Sequence, residues 1–225
     1  MISLSYNLSS QIQTYLTQID NFRSEILLTP LPPSRLLELQ WKCTQGYMTS
    51  WNALLPQAKP SPVQRKTALE YIRQHWTGSH APITTGHITH METLLGIHTK
   101  TSNDTEKLLE YLGTENSHPL LQAAVVHLHF APSALAFFVP LMFLYKRGYD
   151  SHGLFCLDEF WPKNLPSYTT LLAHNQRSAA ITTWLEFYCQ AAIYQYGLAH
   201  RAVLQVPPSN IHGAPMLTDR QKNIL

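Results

Sequence analysis

Charge is what this sequence lacks most. Asp, Glu, Lys and Arg make up 13% of its 225 residues, where ordinary domains carry about 25%. Hydrophobic residues stand at 44%, so the shortage of charge excludes a disordered chain, a coiled coil and an acidic or basic tail. Sixteen Lys and Arg against fourteen Asp and Glu leave a net charge of +2, scattered along the chain. No basic patch is present to neutralise phosphates, and nucleic acid is not an expected partner. Cysteine is scarce too. Cys43, Cys156 and Cys189 are far apart, odd in number, and show no CxxC or metal-ligand spacing. The expectation is buried thiols in a reducing, cytoplasmic setting. The opening MISLSYNLSSQIQTYL has neither the basic start nor the continuous apolar run of a secretory signal.

A second shortage is local. From Asn116 to Tyr145 there is no Asp, Glu, Lys or Arg, and the stretch ends in FAPSALAFFVPLMFLY before Lys146 and Arg147. A membrane-spanning helix needs about 20 apolar residues. Pro132 and Pro140 interrupt this run, and His118, Gln122, His127 and His129 precede it. A pair of fully buried core helices, Leu120 to Phe130 and Leu135 to Arg147 with a tight turn at Pro132, is therefore favoured over a membrane span.

What is present is helical periodicity nearly throughout. Leu8, Ile12, Leu16, Ile19, Phe22 and Ile26 recur at three- and four-residue steps, one stripe of an amphipathic helix. The turn TPLPP stops it. Ser34 offers an N-cap for a second helix with Leu37, Trp41, Thr44, Met48 and Trp51 on neighbouring turns. After the breaker-rich LLPQAKPSP, Ser61-Pro62 opens a third helix that runs to Trp76. Short helices are expected over 84–95 and 104–112, one opened by His118-Pro119, and a central apolar one ending at Gly148. Short pieces over 158–161 and 166–174 precede a last long helix from Ser178 or Thr182 to Leu204, with Trp184, Phe187, Ala191 and Tyr194 on one face. No alternating strand-length run competes, so the expected class is an all-α, compact helical bundle. At this length the chain can bury about 70–75% of its unfolded surface without disulfides or metal. The Pro/Gly/Ser/Asn-rich VPPSNIHGAP marks a linker before the stub LTDRQKNIL. The division expected is 1–60, a helical region packing on the core; 61–206, the core; and 207–225, linker and remnant.

Several segments, in order, resemble one family. IDNFRSEILLTPLPPSRLLELQW is similar to the N-terminal helices of long bacterial Fic (Fido-domain) proteins, and TALEYIRQHWTG followed by PITTGHITHMETLL to their next two helices. HPLLQAAVVHLHF resembles the helix that leads into the Fic active site. LYKRGYDSHGLFCLDEFWPKNLPSYTTLL resembles the stretch after it, WLEFYCQAAIY the late helix, and LTDRQKNIL the opening of a C-terminal winged-helix module. The resemblance implies a Fic-like helical bundle and, for active members, transfer of AMP from ATP to proteins. That chemistry uses an HPFxxGNGR loop: the His as general base, the acidic residue holding a metal ion, the Gly-rich turn and Arg cradling phosphates.

Here the helix containing Ala124, His127 and Phe130 runs directly into APSALAFFVPL, and the whole motif is absent from between them. His127 corresponds to a histidine of the leading helix, not to the catalytic one, and His129 stands where the family often has Gln. The inhibitory SxxxE(G/N) motif is incomplete: in YMTSWNALLPQ Ser50 can match, with no Glu after it. GIHTKTSNDTEK is too short for the hairpin flap that docks targets by strand addition, and the winged helix stops at its first turn. The resemblance thus implies a pseudoenzyme, a scaffold or regulator acting through a protein partner or a second copy, with no catalytic, cofactor-binding or metal residues assigned and no ATP expected. The alternative is an active adenylyl- or phosphotransferase with a non-standard site.

Other constellations are weaker. His87 and His90 share a helix face near His80 and Glu92, and satisfied or exposed histidines are favoured over a metal site. His127 and His129, two apart on a helix, point away from each other. Cys156 or Ser133 with a distant His and Asp makes a triad only by choice. Trp41, Trp51, Trp76, Trp161 and Trp184 read most simply as core packing. Tyr145-Lys146-Arg147 can touch a phosphate, but basic residues in a last helical turn also answer the helix dipole, and the second reading is favoured.

Overall fold

Local capping signals set several of the helix boundaries. A computed structural model of the chain describes residues 7–54, 60–98, 103–114, 116–155, 160–175 and 180–205, without the side chains of 49–54. Ten helices lie among the described residues: α1 (Ser10–Leu28), α2 (Pro33–Leu54), α3 (Pro62–Trp76), α4 (Thr85–Leu95), α5 (Asn103–Thr114), α6 (Pro119–Phe130), α7 (Leu135–Lys146), α8 (Phe160–Lys163), α9 (Leu165–Asn175) and α10 (Thr182–Leu204). No β-strand occurs among those residues, so the class is all-α. At α3, Ser61 and Gln64 form a full capping box and Pro62 takes a first-turn position. At α6 the N-cap is His118, whose Nδ1 accepts from the Leu120 N–H at 3.2 Å, with Pro119 following. Past the end of α7, Gly148 takes a left-handed φ of 71°, a conformation that a side chain disfavours.

The core is built around the α6–α7 hairpin. Every residue of α7 from Leu135 to Tyr145 is buried, as are those of α6 from Leu120 to Leu128. A helix apolar all round must be enclosed by others, and here α3 and α4 cover α7 while α10 covers α6. No described helix is long and apolar enough to cross a membrane. Helix α1 lies on the other side of α10, burying Ile12, Ile19 and Ile26 at seven-residue steps. Each such side chain contributes about 1.5–3 kcal/mol when fully removed from water. Polar contacts fasten the same seam: Ser9 Oγ donates to Glu186 at 2.7 Å, and Glu25 pairs with His200, whose ring lies 5.0 Å from that of Phe22.

Helix α2 departs from expectation. Leu37 and Trp41 are 65% and 62% exposed, while Leu39 and Tyr47 are buried and Leu36 and Cys43 half-buried. The inward stripe is thus rotated from the one that Leu37 and Trp41 suggest. Positions 36, 37, 39, 41, 43, 47 and 48 are all apolar, and a pattern that wide leaves the phase of the buried face to tertiary contacts. Trp76, Trp161 and Trp184 are buried as expected; Trp41 is not, and the Trp51 side chain lies outside the described residues. Phe187 is also buried. Among the cysteines, Cys189 is a buried free thiol, whereas Cys43 is disulfide-bonded, which corrects the expectation of thiols only; Cys156 lies outside the described residues. The stretch 207–225 lies outside them as well.

Candidate functional site

The resemblance directs attention to the turn between α6 and α7, which consists of Ala131, Pro132, Ser133 and Ala134. The Ala131–Pro132 peptide bond is cis. The Ala131 N–H still bonds to His127 O at 3.0 Å, and the Ser133 N–H reaches Phe130 O at 2.8 Å, which closes the turn. Pro132 is exposed, whereas Ala131 and Ala134 are buried. A helix start is a possible anion site because its first N–H groups have no intrahelical partner. At α7 those donors turn inward: Leu135 N–H donates to Ser133 Oγ at 3.3 Å, Ala136 N–H to Ser133 O and Phe137 N–H to Ala134 O, each at 3.1 Å. The N-cap position of α7 is Ala134, and the Ser133 hydroxyl, one residue before it, accepts from the first N–H of the helix.

His127 projects from α6 into a box of rings. Its centroid lies 5.0 Å from Phe137, 5.3 Å from Trp161 and Trp184, and 5.7 Å from Tyr168 and Tyr188. Its Nε2 shares a 2.9 Å hydrogen bond with the Tyr168 hydroxyl. The ring is 1% exposed, and burial alone pushes its pKa down to about 3. It is a neutral core histidine that no substrate reaches. His129 faces α5, sharing a 2.9 Å hydrogen bond with Thr105 Oγ1. Burial lowers its pKa and the nearby Asp104 acts the other way. The two histidines diverge as their spacing predicts.

The remaining sequence candidates do not assemble either. His87 turns its Nδ1 to the Thr84 N–H and hydroxyl at 3.1 and 2.9 Å and sets its ring edge-on to Trp76, while the His90 ring meets Tyr71. Burial, then the neighbouring His90, lowers the His87 pKa. Among the described residues no group of three or more His, Cys, Asp and Glu is arranged to hold a metal ion. The Cys189 thiol is pushed up to about 12, by burial first and by Glu186 second, the opposite of an activated nucleophile.

Sequence reasoning missed one polar cluster. Tyr149, just past α7, donates its hydroxyl to Asp20 Oδ1 at 2.8 Å and meets His118 Nε2 at 3.0 Å. Arg23 lies 4.8 Å over the Tyr149 ring and donates from Nε to Gly148 O at 2.7 Å. Burial, followed by Asp20, raises the Tyr149 pKa; burial lowers that of His118 against the pull of Asp20. These residues tie the start of α6 and the end of α7 to α1. Their partners are 31 to 129 positions apart in sequence, so no local pattern announces them.

Two concavities lie away from the α6–α7 turn. An open groove of about 610 Å³ runs between α9 and α10, lined mainly by uncharged polar side chains such as Gln11, Ser167, Thr170 and Gln190. A smaller hollow of about 250 Å³ has Lys146 and Arg147 at its rim. No protein-family model matches the chain, and no protein of curated function matches its sequence.

Proposed function

We propose that the chain is a degenerate Fic-fold protein that has no transferase activity and acts as a scaffold or regulator through protein contacts. The observation that carries this reading is the four-residue α6–α7 turn, Ala131, Pro132, Ser133 and Ala134, at the point where the resemblance would put an HPFxxGNGR loop. Transfer of AMP or phosphate needs a positioned base, a metal-held triphosphate and donors aimed at the reacting phosphate. The turn offers none of the three. Its one hydroxyl accepts from the Leu135 N–H, the Ala136 and Phe137 N–H groups bond to carbonyls of the turn, and the histidine one turn upstream is sealed in rings. Losing one such element costs about 10²–10⁴-fold, and here all are missing together.

A role through contacts is supported by α2, whose Leu37 and Trp41 stand four residues apart with more than half their surface in water. Exposed tryptophan is a frequent anchor of protein interfaces. The test is incubation of the purified full chain with labelled ATP, Mg²⁺ and a cell lysate, alongside equilibrium binding of ATP. The expected result is no labelled protein and no ATP binding. Label transferred to any protein, and abolished by deleting residues 131–136, would overturn the proposal in favour of an active transferase.

A further inference from the structure

The link after α3, the end of α5 and the C-terminal end of α7 enclose the hollow of about 250 Å³. Its wall is apolar, formed by Ile83, Leu109, Leu112 and Phe143, and the buried Gln122 completes it. His80, Lys146 and Arg147 surround it, and no Asp or Glu is among the described residues that line it.

The usual task of basic residues at a helix C-terminus is to bond its last carbonyls and to answer its dipole. At α7 the backbone already serves two of those carbonyls, each twice. Leu144 O accepts from the Arg147 and Tyr149 N–H groups at 3.1 and 2.8 Å, and Tyr145 O from those of Gly148 and Gly78 at 3.1 and 3.3 Å. Neither Lys146 nor Arg147 makes a side-chain hydrogen bond or an ion pair among the described residues. Lys146 is half-buried, and its pKa is lowered by that burial first and by the like charge of Arg147 second. Two adjacent cations, one of them partly stripped of water, thus flank an apolar hollow with no counter-charge among the described residues.

We propose that this hollow binds a small organic anion, its carboxylate or phosphate group held by Lys146 and Arg147 and its apolar body resting on Leu112 and Phe143. The Arg fork matches the paired oxygens of either group, and Lys adds a compact point charge. The volume lies below the roughly 300–1,000 Å³ of drug-sized sites, which selects a body of about one ring or a short chain. Neither the Fic resemblance nor the scaffold role enters this inference.

The experiment titrates the full chain with phenyl phosphate and with benzoate, observed by amide NMR shifts and calorimetry, beside phenol and inorganic phosphate. At least one of the two aromatic anions should bind more tightly than phenol and than inorganic phosphate, and added salt should weaken it. The double variant Lys146→Gln with Arg147→Gln should lose about tenfold or more in affinity. Gly113→Leu provides an independent arm. Gly113 lines the hollow, and a Cβ there meets nothing within 4 Å, so the leucine should block the ligand while the melting temperature holds. Failure of both anions to bind, binding no tighter than phenol, or affinity unchanged in the folded variants would each overturn the proposal.

Discussion

Acidification should weaken this fold through one ring. His127 takes up its proton near pH 6.5 in an unfolded chain, but burial pushes its folded pKa down to about 3. Between those values the unfolded state holds the extra proton, so stability falls as pH falls through that window and is fully retained above it. Each pH unit within the window is worth about 1.4 kcal/mol. Going from pH 6.5 to 4.5 should therefore remove about 2–3 kcal/mol through His127 alone, a large share of the 5–15 kcal/mol by which domains are ordinarily stable. The cause is geometric. The ring is enclosed by Phe137, Trp161, Tyr168, Trp184 and Tyr188, and a Tyr168 hydroxyl at 2.9 Å is the polar partner that the structure gives its Nε2. The assay is urea unfolding at half-unit steps from pH 7.5 to 4.5, for the wild type and for His127→Gln. Other groups titrate in both proteins, so the difference in slope isolates this one. The variant should be less stable at pH 7.5, yet its stability should decline more slowly below pH 6.5, by about 1.4 kcal/mol per unit. Parallel curves would refute the reasoning, because they would mean that water reaches the ring.

Trp184 is fully buried, donates its Nε1 to Ala124 O at 2.8 Å and stacks at 7° on Trp161. Trp184→Ala should cost about 3–5 kcal/mol in denaturant unfolding, and Trp184→Phe less, since the ring body stays and the indole N–H is lost. An equal cost for both would place the stability in the hydrogen bond rather than in the packing. On α2 the outcome should be the opposite: Trp41→Ser, at an exposed position, should shift stability by no more than about 0.5 kcal/mol. A larger loss in the monomer would mean that Trp41 packs against this same chain.

Helix existence and several helix ends were legible in the sequence because their causes are local, although α2 starts at Pro33 and Ser34 lies inside its first turn rather than capping it. The Ser61 and Gln64 capping box, the His118-Pro119 start and the Gly148 stop each act within about one helical turn. The split of the uncharged stretch into α6 and α7 was legible at Pro132, which lacks the donor that a continuing helix uses. Pro140, by contrast, did not interrupt α7 and lies buried inside it. The absence of Gly, Arg and acid from the α6–α7 junction is likewise a property of the sequence alone.

Environment was not legible. Which face of α2 turns inward was decided by contacts with α3 and α8, since the apolar positions of that helix are too many to define a single stripe. That His127 is sealed while His129 only leans on Thr105 depends on Trp161, Tyr168, Trp184 and Tyr188, which arrive from α8, α9 and α10. The link from Tyr149 to Asp20 spans 129 positions. Lys146 and Arg147 read in sequence as an answer to a helix dipole; only the folded chain shows Leu144 O and Tyr145 O already bonded by backbone N–H groups and an apolar hollow beside the two cations. Capping and periodicity act between residues three or four apart, so the order of residues determines them. Burial, charge balance and the shape of a cavity are sums over neighbours tens to more than a hundred positions away, and packing alone selects those neighbours.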